Sequence, residues 1–172
     1  RHRKVPLFVC IDFQGSNLYI FKVQLITVME NILNNKSIIG RLEKVDLPDF
    51  GLNDVIAKID TGAYNGAIHT NHVTEKEVDG KSVIEFSLLD EDHPEFKEDI
   101  FQVDDFEKKL VKNSTGDSEM RYVVPTVIIL KGKEIKVKLS LSNRKNLKHP
   151  ILLGRKIIRK HFIVDVSKKF TN

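Results

Sequence analysis

The sequence predicts an all-β domain, and three observations carry that reading. Ile135, Val137, Leu139 and Leu141 alternate with Lys136, Lys138 and Ser140, the period of two expected of a half-buried strand. The short β-type runs Val55–Ile59 and Ser82–Leu89 stop at turn residues instead of continuing at helical spacing. No long helical period and no internal repeat occurs in the 172 residues.

The elements follow in chain order. Residues 1–28 begin Arg-His-Arg-Lys and differ from the rest, while Met29 opens a polar lead-in that reads as a native start. Residues 1–28 are therefore expected to be an upstream or cloning-derived extension, and 29–172 a single domain. A secretory signal fits poorly, because Asp12 interrupts the first apolar stretch and no small-x-small site follows. An added strand or helix over Leu18–Val28 is the rival reading. Ile38–Val45 mixes apolar and charged residues and closes at the turn Asp46-Leu47-Pro48-Asp49. Val55–Ile59 is a short strand ending at Asp60. Ala67–Val73 and Ser82–Leu89 flank the turn Asp79-Gly80, and Asp104–Lys112 is expected to form one short helix. Tyr122–Leu130, the turn Lys131-Gly132-Lys133 and the alternating run after it form a hairpin. Ile151-Leu152-Leu153 runs into Gly154, after which Arg155 begins a small helix.

The length suits one domain with a sizeable core. No run of about 18 apolar residues occurs, so no membrane-spanning helix is expected. The single cysteine, Cys10, excludes an internal disulfide framework and is compatible with a reducing, cytoplasmic setting. Arg1, Arg3, Lys4 and Lys22 against Asp12 give residues 1–28 a charge of +3 out of the total +4. The body is thus nearly balanced, which argues against nucleic acid as a partner.

Asp60-Thr61-Gly62-Ala63 is the most informative stretch: an apolar strand delivers one carboxylate to a Gly-supported turn. Far downstream, Leu152-Leu153-Gly154-Arg155 is a second apolar strand ending at a glycine. With Ile39-Gly40-Arg41, Ala67-Ile68-His69, Arg121-Tyr122-Val123, Leu141-Ser142-Asn143-Arg144 and Phe162-Ile163-Val164-Asp165, these motifs occur in one order from Ile38 to Asp165. In that order they resemble the bacterial retropepsin-like aspartic protease family long labelled "ATP-dependent zinc protease". That family is associated with an ATP-grasp ligase that adds glutamates to a small-subunit ribosomal protein. The resemblance implies an acid-protease β-barrel with one short helix after the Leu-Leu-Gly-Arg strand.

It also implies roles. Two carboxylates forced together share one proton, so a single site supplies both base and acid for water attack on a peptide. With one Asp-Thr-Gly per chain, the dyad requires a homodimer pairing Asp60 with its twofold mate. Asp60, Thr61 and Gly62 are the implied catalytic loop, with Thr61 bonding across the dimer and Gly62 giving backbone access. Leu153, Gly154 and Arg155 are its structural support. Ala63, Arg121, Asn143 and Arg144 are candidate substrate-binding residues. Ala63 replaces a serine of the acid-acting relatives, which implies a working pH nearer neutral. Tyr64 stands where viral relatives carry an aspartate for the helix arginine, so Arg155 needs another partner. Asp79-Gly80 and Asn113–Asp117 are the candidate tips of a substrate-covering hairpin.

Other chemistries find little support. There is no His-Glu-x-x-His, and His69 and His72 would point to opposite faces of a strand, so no metal is assigned. Only a bend would bring them together with Asp60. His69 is instead expected to pack or hydrogen-bond near the catalytic loop. No Walker-type loop occurs, so ATP and other cofactors are not expected of this chain. Arg41, Arg121, Arg144 and Arg155 suit an acidic, glutamate-rich peptide or protein substrate. Two functions follow: a homodimeric aspartic endopeptidase that trims glutamate tails or processes a glutamate-modified ribosomal protein, or a non-catalytic module holding an acidic peptide or the ligase.

Overall fold

The computed structural model describes residues 24–26, 36–112 and 118–171. The chain divides into two compact units, Arg1–Lys36 and Ser37–Asn172. Of the first, residues 24–26 form a helical turn; the rest of 1–28, Met29 and the candidate tip Asn113–Asp117 lie outside the described residues.

The second unit is built from β1 (Ser37–Ile39), β2 (Leu42–Leu47), a 3₁₀ turn (Pro48–Phe50), β3 (Leu52–Asp60), β4 (Gly66–Val78), β5 (Lys81–Leu88), β6 (Phe101–Val103), β7 (Glu107–Lys112), β8 (Ser118–Leu130), β9 (Lys133–Ser142), β10 (Ile151–Gly154), the helix α1 (Arg155–Ile158) and β11 (Phe162–Val164). Neighbouring strands run β10-β3-β2-β8-β9-β4, and β10 pairs again with β4, so the sheet closes on itself. β10 lies parallel to β3, with Gly154 opposite Asp60, and antiparallel to β4, with Ile151 opposite Ile68. β5 and β6 extend the sheet beyond β4, and β7 pairs with β8. This is an all-β, retropepsin-like barrel.

Alternation fixes what goes inside. Ile135, Val137, Leu139 and Leu141 of β9 are buried, while Lys136 and Lys138 are exposed. Val45, Val55, Ala57, Ile68, Ile128, Ile151 and Leu153 fill the same core, and Phe50, Phe86 and Phe101 meet near its end at centroid separations of 5.0 to 5.8 Å. The turns Asp79-Gly80 and Lys131-Gly132 place both central residues at positive φ (52° and 73°, 51° and 69°), the twist that suits two-residue hairpins.

The expected helix over Asp104–Lys112 is replaced by strand. Glu107–Lys112 pairs residue for residue with Ser118–Val123, and Phe106 packs edge-on against Tyr122 at 5.7 Å. Lys108 also reaches Glu75 on β4 at 2.6 Å, while Lys109 and Lys138 meet Glu107. A ladder and cross-strand ion pairs outweigh the modest helical preference of Glu-Lys-Lys-Leu.

A strap after β11 returns across β1 and β2. Arg41 N–H donates to Lys168 O and Phe170 N–H to Leu42 O, both at 2.8 Å. Beneath it the fully buried Glu43 carboxylate accepts Gly40 N–H (2.5 Å), Thr171 Oγ1–H (2.7 Å) and Thr171 N–H (2.9 Å).

Candidate active site

Asp60 is the last residue of β3, delivered to the barrel end by the buried Ala57 and Ile59. The chain then turns, and Asp60 Oδ1 accepts the N–H groups of Gly62 (2.9 Å) and Ala63 (3.1 Å). A Cβ on Gly62 would lie 3.2 Å from that oxygen, so glycine leaves the carboxylate room to bond its own loop. Oδ2 faces Lys58 Nζ at 3.6 Å. Lys58 precedes Asp60 by two and shares its strand face; that spacing was visible in the sequence and its significance was not.

The loop is braced from behind. Ala63 O accepts Arg155 N–H at 2.9 Å and Tyr64 O accepts Lys156 N–H at 3.0 Å. Arg155 NH1 donates to Thr61 O (3.1 Å) and Gly62 O (2.9 Å), and its guanidinium sits 5.9 Å from the Tyr64 ring centroid. The partner that the sequence left open for Arg155 is therefore the backbone of the Asp60 loop together with Tyr64. A Cβ on Gly154 would lie 2.8 Å from the carbonyl carbons of Tyr64 and Asn65 and closer still to Asn65 O, so only glycine lets β10 approach this turn. Leu153 is fully buried beneath it.

Arg144 stands nearby on the loop after β9. Burial pushes its guanidinium below the usual arginine range, Arg121 pushes the same way, and Asp60 opposes them. Arg144 Nε and NH2 donate to His149 O at 3.3 Å. Arg121 reaches Glu119 at 2.7 Å. Asn143 Oδ1 accepts Lys145 N–H at 3.0 Å, which folds the loop. Beside Asp60, Lys58, Arg144, Lys148 and Lys169 line a cleft of about 560 Å³ with Arg41 and His149. Burial lowers His149 from its ordinary value, and Lys148, Lys58 and Arg144 add to this.

His69 is buried and holds the arginine loop. Its Nδ1 accepts Arg144 N–H at 2.7 Å, which places the proton on Nε2, 3.0 Å from Asp90 Oδ2 and 3.1 Å from Asn71 Oδ1. Burial tends to raise Asp90, but hydrogen bonds from Asn71 and His69 hold it below the usual carboxylate range. Both imidazole nitrogens thus serve protein partners, the Arg144 loop on one side and Asp90 and Asn71 on the other, while His72 Nε2 meets Thr74 Oγ1 at 2.6 Å. Asp90 had no local signal in the sequence, since it lies 21 positions from His69 across a hairpin. Among the described residues no group of three His, Cys, Asp or Glu could hold a metal.

A closed barrel with an Asp-Thr-Gly turn braced by the Gly-Arg end of a second strand defines a retropepsin-like domain. The chain belongs to the RimB-like family, described as retropepsin-like aspartic endopeptidase RimB, whose pattern matches residues 38–172. It is 32% identical over 141 residues to a probable alpha-L-glutamate ligase of Shewanella pealeana, covering 80% of this chain and 30% of that protein. A probable alpha-L-glutamate ligase of Desulfotalea psychrophila is 31% identical over 140 residues, 76% of this chain and 28% of that protein. The chain thus spans less than a third of these relatives. A crystal structure of a Legionella pneumophila protein of unknown function superposes with a TM-score of 0.57 at 32% identity, over 78% of this chain and 97% of that one.

Proposed function

We propose that this chain is a homodimeric aspartic endopeptidase acting on acidic, glutamate-rich polypeptide. The observation that carries this reading is Asp60 itself: one oxygen is fixed by Gly62 and Ala63 N–H, and the other meets only the exposed Lys58 ammonium, at 3.6 Å. Thr61, Gly62 and Tyr64 are exposed around it, as a face that receives a second copy needs to be. The register partners Ile38 and Ile163, on the two-stranded β1–β11 sheet, are also exposed and offer apolar surface to the same partner.

In the dimer one Asp60 carboxylate takes a proton from water as its oxygen attacks the peptide carbonyl carbon. The protonated mate supplies a proton toward the carbonyl oxygen, and collapse of the tetrahedral species releases the amine after it gains a proton. Arg144, Arg121, Lys58 and Lys148 supply the positive field that favours acidic side chains. The relatives named as probable glutamate ligases support a substrate bearing added glutamates and a ligase as partner. The expected setting is the cytoplasm; no helix among the described residues is long and apolar enough to cross a membrane.

A second reading, a non-catalytic module for an acidic peptide or the ligase, is favoured by one contact. Lys58 already engages Asp60 Oδ2, so a second carboxyl has to share or displace it. Asp60→Asn separates the two. Hydrolysis of an oligoglutamate-tailed protein by the parent, reduced by about 10²–10⁴-fold in the variant with binding retained, supports the peptidase. Equal binding with no hydrolysis by either protein, at concentrations where sedimentation shows dimer, leaves the binding module.

A further inference from the structure

On another part of the barrel, α1 and the β8–β9 hairpin enclose a cleft of about 590 Å³ that contains none of residues 60–63. Its apolar surface comes from Pro125, Val127 and Ile157, and its charge from Lys136, Lys138, Lys156, Arg159 and Lys160. These five cations are exposed. Lys138 meets Glu107, but Lys136, Lys156, Arg159 and Lys160 have no carboxylate within 4.0 Å among the described residues. The acid on the lining, Asp49, is occupied: Oδ2 accepts both Thr126 Oγ1–H and Val127 N–H at 2.9 Å. Glu134 shares the outer face of β9 with Lys136 but does not line the cleft. The molecule has spent little on neutralising this charge.

We propose that this cleft docks an acidic, extended segment of a partner protein. Lys136 and Lys138 stand two residues apart on one strand, about 7 Å, the repeat of alternate side chains on an extended chain. A segment with Asp or Glu at alternate positions sets its carboxylates against the lysines, beside Pro125 and Val127 on the same sheet face, and turns the intervening side chains toward Ile157 of α1. The chemistry favours polypeptide over RNA. Single-stranded RNA is held by bases stacked on aromatic rings, whereas this lining is aliphatic apart from the His161 imidazole. Carboxylate recognition at exposed cations also makes the docking salt-sensitive.

The test uses the full chain carrying Asp60→Asn, so that no probe is cleaved and failure of the peptidase reading does not affect it. Backbone amide spectra are followed on titration with a peptide alternating glutamate and valine, and separately with oligouridylate. The expected result is shifts at Lys136–Lys138 and Lys156–His161, with affinity falling about tenfold or more in Arg159→Glu/Lys160→Glu. Folding of that variant is checked by the unchanged remainder of the spectrum. Shifts confined to Arg144 and Lys148 overturn the proposal, as does an absence of peptide-induced shifts. Tighter, displacing binding of oligouridylate replaces the partner with nucleic acid. Concentration-dependent shifts at Lys136–Lys138 and Lys156–His161 without any probe assign the cleft to a second copy of this chain instead.

Discussion

The Nδ1 atom of buried His69 accepts the backbone N–H of Arg144 at 2.7 Å. Through that bond a core histidine sets the loop that carries Arg144, whose charge interacts with Asp60. His69→Ala leaves the Arg144 N–H without its acceptor and removes one of the two side-chain hydrogen bonds to Asp90, at a cost of about 1–3 kcal/mol. His69→Asn keeps an acceptor near the Nδ1 position. The expected outcome is lost amide-exchange protection at Arg144 in the alanine variant and partial recovery in the asparagine variant. Unchanged protection in both would remove His69 from this role.

Gly154→Ala sets a methyl against the Tyr64–Asn65 backbone, where no flexible side chain can give way. The expected cost is about 1–3 kcal/mol, with displacement of the Asp60 loop and loss of the proposed peptidase activity beyond any loss of folded protein. Wild-type activity in a folded Gly154→Ala variant would show that the brace is dispensable.

Glu43 joins β2 to the C-terminal strap through Gly40 and Thr171. Glu43→Ala abandons several hydrogen bonds to a buried carboxylate, each worth about 1.5–3 kcal/mol when charge-assisted. Urea unfolding is expected at lower denaturant, and trypsin at Lys168 or Lys169 is expected to cut faster than in the parent. Equal clipping rates would place the strap's anchorage elsewhere.

Acid should weaken the fold in two stages. His149 is lowered from 6.5, so below that value the unfolded chain binds more protons and stability falls with pH. Glu75 is held to about 2 by Lys108, then Ser82 and Tyr122, and Glu107 to about 2 by Lys109 and Lys138. Their contributions are complete above about 4.5 and are lost as pH falls toward about 2. These surface pairs are weak and salt-screened, so the second stage should shrink in high salt. Urea titrations across pH check this: His149→Gln is expected to remove the first stage alone, and persistence of that stage would assign it to another group.

Local chemistry made much of the barrel legible. The alternation of β9, the turns at Asp79-Gly80 and Lys131-Gly132, and the apolar entry to Asp60 each depend on neighbours in sequence. β7 was misread because its strand state depends on β8 and on Glu75, more than thirty residues before Lys108. The bonding partners of Arg155, which was expected to support the loop, and the His69–Asp90 pair were hidden for the same reason: they are set by barrel closure.

The seam made by β10 also orders events in time. β3 and its aspartate are synthesised some ninety residues before the strand lying opposite them, since Asp60 pairs with Gly154. A chain still emerging from the ribosome carries the Asp-Thr-Gly turn but has nothing to hold Ala63, Tyr64 or the Thr61 carbonyl in place. The long-range contact that closes the barrel also completes the site. Synthesis has to pass Arg155 and the barrel has to close before this aspartate has a fixed position.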